Sequence, residues 1–308
     1  SQDGVSPPRT IAVPNPGHAY TVSWSPDSKK ILYHDTNLRV WVLDVASGKA
    51  MPVGLDPWMV PARTMFPTWS PDSRYVAYAA HLSSLYRAIF VADAESGATN
   101  QVTDGLADAM YPVWDAGGKY VWFLASTDFG LRSQWLDMTS YDHEEDFGLY
   151  MAVLKKGDAS PLLPESDEDT GVGLAPSGEV GGGGKGGAAK SDDAKPAAVT
   201  VHIDFDDLQS RVVCVPGVPE RQYALLKAGQ AGTVFFLENA AGATPGSGAQ
   251  LQRYRLSERK LVPFASEVAD YAVSADGKKL VYRAAAPGAG AGAPAGPPPK
   301  PVPPSLYL

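Results

Sequence analysis

The segment Val22-Ser23-Trp24-Ser25-Pro26-Asp27-Ser28-Lys29-Lys30-Ile31-Leu32-Tyr33 recurs along this chain of 308 residues, and its recurrence decides the fold. The second copy spans residues 67–78, the third 112–123, and a weaker fourth copy 271–282. The tryptophans of the first three copies stand 45 residues apart, at Trp24, Trp69 and Trp114. A fixed period of this length indicates a repeat architecture.

Each copy predicts a β-hairpin that turns at Ser-Pro-Asp-Ser. Proline sets φ at the second turn position, and the aspartate can accept hydrogen bonds from nearby backbone. The turn aspartates are Asp27, Asp72 and Asp276. Third strands are predicted over 38–44 and 87–93, and short fourth strands over 50–53 and 100–103. Four short strands per unit are typical of a propeller blade, so we predict an all-β propeller with about five four-stranded blades.

Composition divides the chain further. Residues 164–198 hold seven acids against three lysines in a glycine-rich background, and 286–308 are rich in alanine, glycine and proline. Such stretches cannot build a packed core. The predicted organisation is a leader or the end of a preceding blade over 1–18, three blades over 19–163 with an insertion at 126–148, a disordered acidic loop over 164–198, degenerate blades over 199–285, and a linker over 286–308. Strands are predicted at 199–204 and 210–215.

Charge and cysteine content exclude several functions. The net charge of −8 argues against nucleic acid as the main partner, because phosphate binding needs clustered Lys and Arg. No apolar run approaches the ~20 residues of a membrane span. The single cysteine, Cys214, makes no internal disulfide and no cysteine-rich zinc site, and its apolar surroundings predict a buried structural thiol.

The sequence signals for catalytic and metal-ligating residues are weak. Ser25, His34 and Asp35 supply triad residue types, but no Gly-x-Ser-x-Gly elbow is present. The acidic runs 142–146 and 204–207 lack the spacing of a metal site, and the glycine run 181–187 lacks the Ser or Thr of a phosphate loop. We therefore predict no catalytic residue, no metal and no cofactor in this chain.

The insertion at 126–148 is long for a blade connection, and long loops often carry function. It mixes aromatic and charged side chains, and the candidate residues for gating peptides are Asp128, Arg132, Trp135, Asp137 and His143. One hypothesis is a lid at a mouth of the propeller. The other is a packing element between domains.

The Trp-Ser-Pro-Asp hairpins resemble the TolB-type propeller repeat. A longer set of segments is similar, in order and spacing, to bacterial tricorn protease homologues, which are self-compartmentalising serine peptidases. These segments are Val102-Thr103-Asp104-Gly105, Tyr111-Pro112-Val113, Ala125-Ser126-Thr127-Asp128-Phe129-Gly130-Leu131, Trp135-Leu136-Asp137-Met138, Ser160-Pro161-Leu162-Leu163-Pro164-Glu165-Ser166-Asp167-Glu168 and Val201-His202-Ile203-Asp204. The resemblance covers about residues 18–285.

The resemblance implies that this chain is the later part of a seven-bladed propeller, which leaves an incomplete ring with exposed apolar blade faces. It also implies a non-catalytic segment that guides or gates peptides toward a serine peptidase domain outside this chain. Implied partners are peptide substrates, the catalytic and PDZ domains of the same polypeptide, and further copies of the full-length protein. The implied compartment is the cytoplasm, with the periplasm or export open. The alternatives are a stand-alone TolB-like scaffold that binds another protein, and an independent hydrolase.

Overall fold

A computed structural model describes residues 9–14, 18–58, 65–128, 145–158, 160–163, 199–240, 248–285 and 306–307. Over these residues the regular structure is β-strand, apart from a 3-10 turn at Leu208–Arg211. The all-β prediction is confirmed. None of the described residues belongs to a helix with the length and apolar character needed to cross a bilayer.

The strands in chain order are short, with one exception. They are β1 Ala19–Trp24, β2 Lys30–Asp35, β3 Arg39–Asp44, β4 Ala50–Leu55, β5 Thr68–Trp69, β6 Tyr75–His81, β7 Arg87–Asp93, β8 Thr99–Gln101 and β9 Asp108–Trp114. They continue with β10 Tyr120–Ser126, β11 Gly148–Val153, β12 Val212–Cys214, β13 Tyr223–Ala228, β14 Thr233–Glu238, β15 Ala249–Arg255, β16 Lys260–Val273, β17 Leu280–Ala284 and β18 Leu306–Tyr307.

These strands form antiparallel sheets in which each strand pairs with the next along the chain. Blade 1 is β1–β4, blade 2 is β5–β8 and blade 3 is β9–β12. The next sheet has six strands, because the first part of β16 pairs with β15 and its second part pairs with β17. Blade 4 is therefore β13–β15 with the start of β16, and partial blade 5 is the remainder. The prediction of a propeller with several four-stranded blades is confirmed.

The Ser-Pro-Asp-Ser turns close as predicted. Oδ1 of Asp27 accepts hydrogen bonds from the Ser25 hydroxyl at 2.6 Å and the Lys29 N–H at 3.1 Å. Asp72 in blade 2 and Asp276 in partial blade 5 repeat both bonds. We name the end of the blades that carries these turns the turn end. The opposite end, where second strands connect to third strands, is the loop end.

Blade 3 departs from the predicted boundaries. Its strands β10 and β11 pair up to Ala125 and Gly148, so the insertion leaves the sheet at the loop end. Its fourth strand is β12, in which Cys214 pairs with Tyr150. Blade 3 therefore extends beyond the predicted limit at residue 163, and part of the region assigned to degenerate blades completes it.

The strand predicted over 199–204 is wrong. The N–H of Val201 donates to Oδ2 of Asp72 at 2.8 Å, and the N–H of Asp204 donates to the Leu154 carbonyl at 3.0 Å. These groups bond singly to two different blades and form no ladder, so the segment is fixed without being a strand. The strand predicted over 210–215 shortens to Val212–Cys214, because the preceding residues form the 3-10 turn.

The repeat tryptophans connect one blade to the next. The indole N–H of Trp114 donates to the Thr68 carbonyl at 3.3 Å, and that of Trp69 makes a long hydrogen bond of 3.5 Å to the Ser23 carbonyl. Trp114 is 5% exposed, Trp69 is half-buried and Trp24 is 57% exposed. No described blade lies in front of Trp24, but Tyr33, Trp41 and Leu43 of blade 1 form a buried cluster against which Ile11 packs. The predicted open apolar face is therefore limited to the exposed side chains of β1, Val22 and Trp24.

The hydrophobic core is divided between successive blades. Four clusters of buried residues each join two consecutive blades, from blades 1 and 2 through to blade 4 and partial blade 5. The cluster between blades 3 and 4 contains Trp122 and Tyr254, both 0% exposed. A short sheet buries its faces only against its neighbours, so each blade depends on the next.

Asp72→Ala should lower the free energy of unfolding by about 2–3 kcal/mol, because the hydrogen-bond donors of Ser70, Arg74 and Val201 lose their acceptor. Urea unfolding followed by circular dichroism measures the change. Asp276→Ala is the matched control, because Asp276 makes the same two local hydrogen bonds and bonds no other blade among the described residues. It should cause the smaller loss, and equal losses in the two variants would contradict a coupling role for Asp72.

Acid should destabilise the turns. The Ser274 hydroxyl and the Lys278 N–H lower the pKa of Asp276 below its ordinary value of 3.8. Burial would raise the pKa of Asp27, but hydrogen bonds from Ser25 and Lys29 outweigh it and lower the pKa. A lowered pKa stabilises the fold above the unfolded value, and this contribution is lost as pH falls through the folded value. We therefore expect the free energy of unfolding to fall as the pH drops below about 5.

The control for this pH dependence is Ser274→Ala, which removes the hydroxyl that lowers the pKa of Asp276. Its stability should depend less steeply on pH over the acidic range. An unchanged slope in this variant would show that the turn hydroxyl does not set the acid sensitivity.

Candidate functional site at the loop end

Two buried polar side-chain pairs tie blade 2 to its neighbours at the loop end. Arg87 begins β7, and its Nε donates to Oδ1 of Asp108 at 2.9 Å, where Asp108 is 0% exposed. On the other side, Nδ1 of His81 lies 2.6 Å from Oδ2 of Asp56. His81 and Arg87 are partners across β6 and β7. The two pairs therefore lie at the same level of blade 2 and involve three blades, and we name these four side chains the loop-end cluster.

Asp56 organises one side of this cluster. Burial would raise its pKa, but hydrogen bonds from the His81 side chain and the Trp58 N–H outweigh that effect and lower the pKa. The Trp58 N–H donates to Oδ1 of Asp56 at 3.0 Å. One carboxylate therefore meets His81 and also fixes the backbone of Trp58. Because the pKa is lowered, this carboxylate is ionised at neutral pH.

A cleft of about 470 Å³ lies beside the cluster, between β4 of blade 1 and the facing part of blade 2. Its wall combines apolar and aromatic side chains with polar groups that include one guanidinium. The lining residues include Arg39, Leu55, Trp58, Tyr78, His81 and Phe90. No carboxylate is among the described residues that line it. Pockets for ligands combine an apolar wall with a few placed polar groups in this way.

The floor of the cleft is closely packed. The Tyr78 ring stacks on Phe90 with centroids 5.6 Å apart. A Cβ on Gly54 would lie 2.5 Å from the Tyr78 ring, so only glycine lets β4 approach it this closely. Burial raises the pKa of Tyr78 to about 12, against a hydrogen bond with Thr99 that lowers it. The Thr99 hydroxyl also donates to the Val53 carbonyl at 3.0 Å, which ties the floor to blade 1.

The first strands of the blades converge and are bulged. A non-glycine residue takes a left-handed φ in or just before each of them, at Thr21, Phe66, Tyr111, Leu225 and Glu267. These bulges bring the rings of Phe66 and Tyr111 to a centroid distance of 4.0 Å. The inner region between blades 2 and 3 is therefore filled by aromatic side chains, and the open cleft lies elsewhere, beside β4.

Most of the predicted gating residues lie outside the described residues, namely Arg132, Trp135, Asp137 and His143. Asp128 is described: it is half-buried and its N–H donates to the Ser126 hydroxyl at 3.1 Å. At the other root of the insertion, the Gln222 side chain donates to the Glu145 carbonyl at 2.9 Å. The gating role of the insertion stays a prediction, and both roots lie at the loop end.

The triad residue types are kept apart. Ser25 closes the turn end of β2, where its hydroxyl donates to Asp27, whereas His34 and Asp35 lie at the loop end of the same strand. At ~3.3 Å per residue, Ser25 and His34 are more than ~13 Å apart along the strand. Asp35 accepts a hydrogen bond from the Trp41 indole at 2.8 Å. These residues form no catalytic group.

The metal candidates do not assemble either. No three metal-ligating side chains come together within the described ranges. Of the run 142–146, residues 142–144 are outside the description, as is the glycine run 181–187. Oδ2 of Asp204 accepts a hydrogen bond from the Lys156 N–H at 2.7 Å, and Asp207 forms an ion pair with the Lys156 ammonium at 3.3 Å. Both carboxylates therefore hold the chain beside β11.

The prediction of a buried Cys214 is wrong, because this thiol is exposed. Its strand β12 is the outermost of blade 3, and pairs with β11 on one edge only. Partial burial still raises the pKa of the Cys214 thiol, against a hydrogen bond with Tyr150 that lowers it. The thiol is therefore accessible but not activated.

Sequence reasoning missed the loop-end cluster. Its members stand 25 and 21 residues apart in pairs, and neither pair falls inside the repeated turn motif. A signal was present: Arg87 and Asp108 each begin a strand at the same end of adjacent blades. Adjacent blades place such positions side by side, so an acid and a base there are candidates for a pair.

Both a protein family and solved structures are similar to this chain. A family model described as the tricorn protease second beta propeller domain matches residues 2–287. The crystal structure of the tricorn protease is similar, with a TM-score of 0.60 and 18% identity over 88% of this chain and 24% of that chain. This chain therefore spans 24% of the length of that relative, and the likeness supports the fold.

Two further structures are more distant. TolB from Acinetobacter baumannii has a TM-score of 0.45 and 15% identity, over 88% of this chain and 47% of that chain. A puromycin-hydrolyzing peptidase of Mycobacterium tuberculosis has a TM-score of 0.48 and 13% identity, over 87% of this chain and 35% of that chain. No curated protein matches the sequence of this chain.

Arg87→Met should lower the free energy of unfolding by about 3–5 kcal/mol, because it leaves the carboxylate of Asp108 buried and unpaired. Denaturant unfolding measures the loss. Arg255→Met is the matched control, since its ion pair with Glu258 is exposed on both sides and should matter little. A small effect of Arg87→Met, similar to that of the control, would contradict the role of the loop-end cluster in joining the blades.

Proposed function

Because this chain belongs to the tricorn protease second β-propeller domain family, we propose that it is a non-catalytic scaffold that guides peptides toward a catalytic domain elsewhere in the same protein. The observation that carries the proposal is the family match over residues 2–287, which covers nearly all of the described chain. In this proposal the full-length protein is a serine peptidase and the propeller selects and orients its substrates.

The state of the hydroxyl groups supports a non-catalytic role. Ser25, Ser70 and Ser274 each donate to the turn aspartate two residues later, and the backbone N–H of the second strand donates back to them. A nucleophilic serine needs a base beside it and an open approach. The hydroxyl groups of these three serines instead form the hydrogen bonds that close the turns.

The loop end supports a role in peptide handling. The cleft, the loop-end cluster and both roots of the insertion, at Asp128 and Glu145, all involve this end of the blades. The cluster fixes blades 1 to 3 against one another, so groups presented beside it keep a defined geometry. Binding sites are commonly carried on loops held by such a rigid frame. In this proposal, peptides meet the domain at the loop end.

The isolated chain should bind peptides without hydrolysing them. We expect no turnover of a mixed-length peptide pool above the rate without protein, measured by mass spectrometry over a long incubation. The full-length protein that contains this domain should cleave the same pool. Reproducible turnover by the isolated chain, abolished by a serine-directed inhibitor, would overturn the non-catalytic assignment and favour an independent hydrolase.

The gating hypothesis for the insertion is tested by deletion in the full-length protein. Removing 129–144 and joining Asp128 to Glu145 through a short Gly-Ser linker keeps the bond between Gln222 and Glu145. We expect the ratio of kcat/KM for long over short peptides to change. The control deletes 165–197, whose described flanks lie toward the turn end. If both deletions leave the ratio unchanged, the insertion has no part in substrate selection.

A further inference from the structure

We propose that the cleft between blades 1 and 2 binds a peptide segment in which a carboxylate stands next to a large apolar side chain. The inference rests on the proposed function and names the substrate chemistry of one site. Arg39 would receive the carboxylate, and the wall formed by Leu55, Trp58 and Phe90 would receive the apolar side chain. The recognition chemistry is a charge-assisted hydrogen bond beside an apolar contact.

The charge of the cleft comes from Arg39, which begins β3 and lines the cleft. It has no charged counterpart in blade 2, because the strand registers align Trp41 with Phe90 and therefore Arg39 with Ala88. No carboxylate is among the described residues that line the cleft. Arg39 is exposed and has no ion pair within the described ranges.

The apolar wall is exposed where a ligand would meet it. Leu55 is 45% exposed and Trp58 is 49% exposed, and both line the cleft. Leu55 is the partner of Arg39 across β3 and β4, which places the guanidinium and the apolar wall on adjacent strands. A guanidinium next to exposed indole and leucine side chains complements a carboxylate that neighbours an aromatic or long aliphatic group. Aromatic and arginine side chains are the common anchors of binding surfaces.

The cleft is formed before a ligand arrives. Its floor is the Tyr78 ring packed on Gly54, and its rim is held by Asp56, which bonds both His81 and the Trp58 backbone. A preformed site loses less conformational entropy on binding. The packing that builds the floor therefore favours a ligand that fits between existing walls.

The occupant is a peptide from another molecule or domain. The acidic segment 164–198 of this chain has matching charge, but its described flanks lie at the turn end. On one side Pro161 accepts a hydrogen bond from Arg259, which is in the turn between β15 and β16. On the other side Val199 lies against Gly118, in the turn between β9 and β10. One flank thus lies on blade 4 and the other on blades 2 and 3, where the Val201 N–H donates to Asp72, whereas Arg39, Leu55 and Trp58 of the cleft lie at the loop end.

The test measures binding of capped hexapeptides to the whole chain by isothermal titration calorimetry. One peptide carries Asp followed by Phe in an alanine background; two others replace that Asp by Asn, or that Phe by Ala. We expect the Asp-Phe peptide to bind most tightly. Arg39→Gln should weaken it about tenfold and should abolish the difference between the Asp and Asn peptides, because a hydrogen bond to a charged group is lost. Trp58→Ala should abolish the difference between the Phe and Ala peptides.

Matched controls are Arg283→Gln and Trp24→Ala, which remove an exposed guanidinium and an exposed indole far from the cleft. Both should bind as the unchanged chain does, and thermal melting checks that all variants fold. Equal peptide affinity in Arg39→Gln, Trp58→Ala and the unchanged chain would overturn the cleft while leaving peptide guidance intact. If no peptide of the series binds, the proposed function fails as well. A chain lacking 165–197 that binds the Asp-Phe peptide much more tightly would show that the acidic segment occupies the cleft, which would also overturn the proposal.

Discussion

Burial between successive blades is the constraint on which the rest of this structure depends. A sheet of three or four short strands cannot cover its own two faces, and the four largest clusters of buried residues here lie between one blade and the next. Hydrogen bonds accompany this packing at a nearly constant separation: Trp69 reaches back to Ser23, Trp114 to Thr68, and Thr99 to Val53, each across 46 residues. Successive blades are therefore joined by apolar packing and by hydrogen bonds. The hydrogen bonds fix how each blade is placed on its neighbour.

The same constraint explains what the sequence could and could not predict. The Ser-Pro-Asp-Ser turn closes a hairpin locally and also contacts the next blade, so its residues recur and the hairpins around Asp27 and Asp72 were predicted correctly. β12 has three residues, and 58 residues separate it from the end of β11, so no local sequence pattern indicates which blade it completes. The burial of Cys214 was predicted wrongly for the same reason, because burial of a strand residue depends on whether another strand covers the edge of its own strand.

The two ends of the blades meet different demands. At the turn end the polar groups belong to the repeat, and their hydrogen bonds lie within turns or join turns of adjacent blades. At the loop end the polar groups vary from blade to blade, and the sequence repeat does not indicate which of them form pairs. The pairs Asp56–His81 and Arg87–Asp108 exist because β4, β6, β7 and β9 bring their ends together, which only the stacked structure shows. The fold was thus predictable from one motif, whereas the site required the arrangement of three blades.

Arg39 and Arg87 show how one residue of register changes the surroundings of a side chain. Arg87 is level with His81 across β6 and β7 and meets Asp108 of the next blade, so its charge is buried, paired and contributes to stability. The registers align Trp41 with Phe90, so Arg39 is level with Ala88, one residue further along the third strand. The guanidinium of Arg39 is exposed beside a cleft whose described lining holds no carboxylate. A shift of one residue along the third strand therefore separates an arginine that joins two blades from one that lines an open cleft.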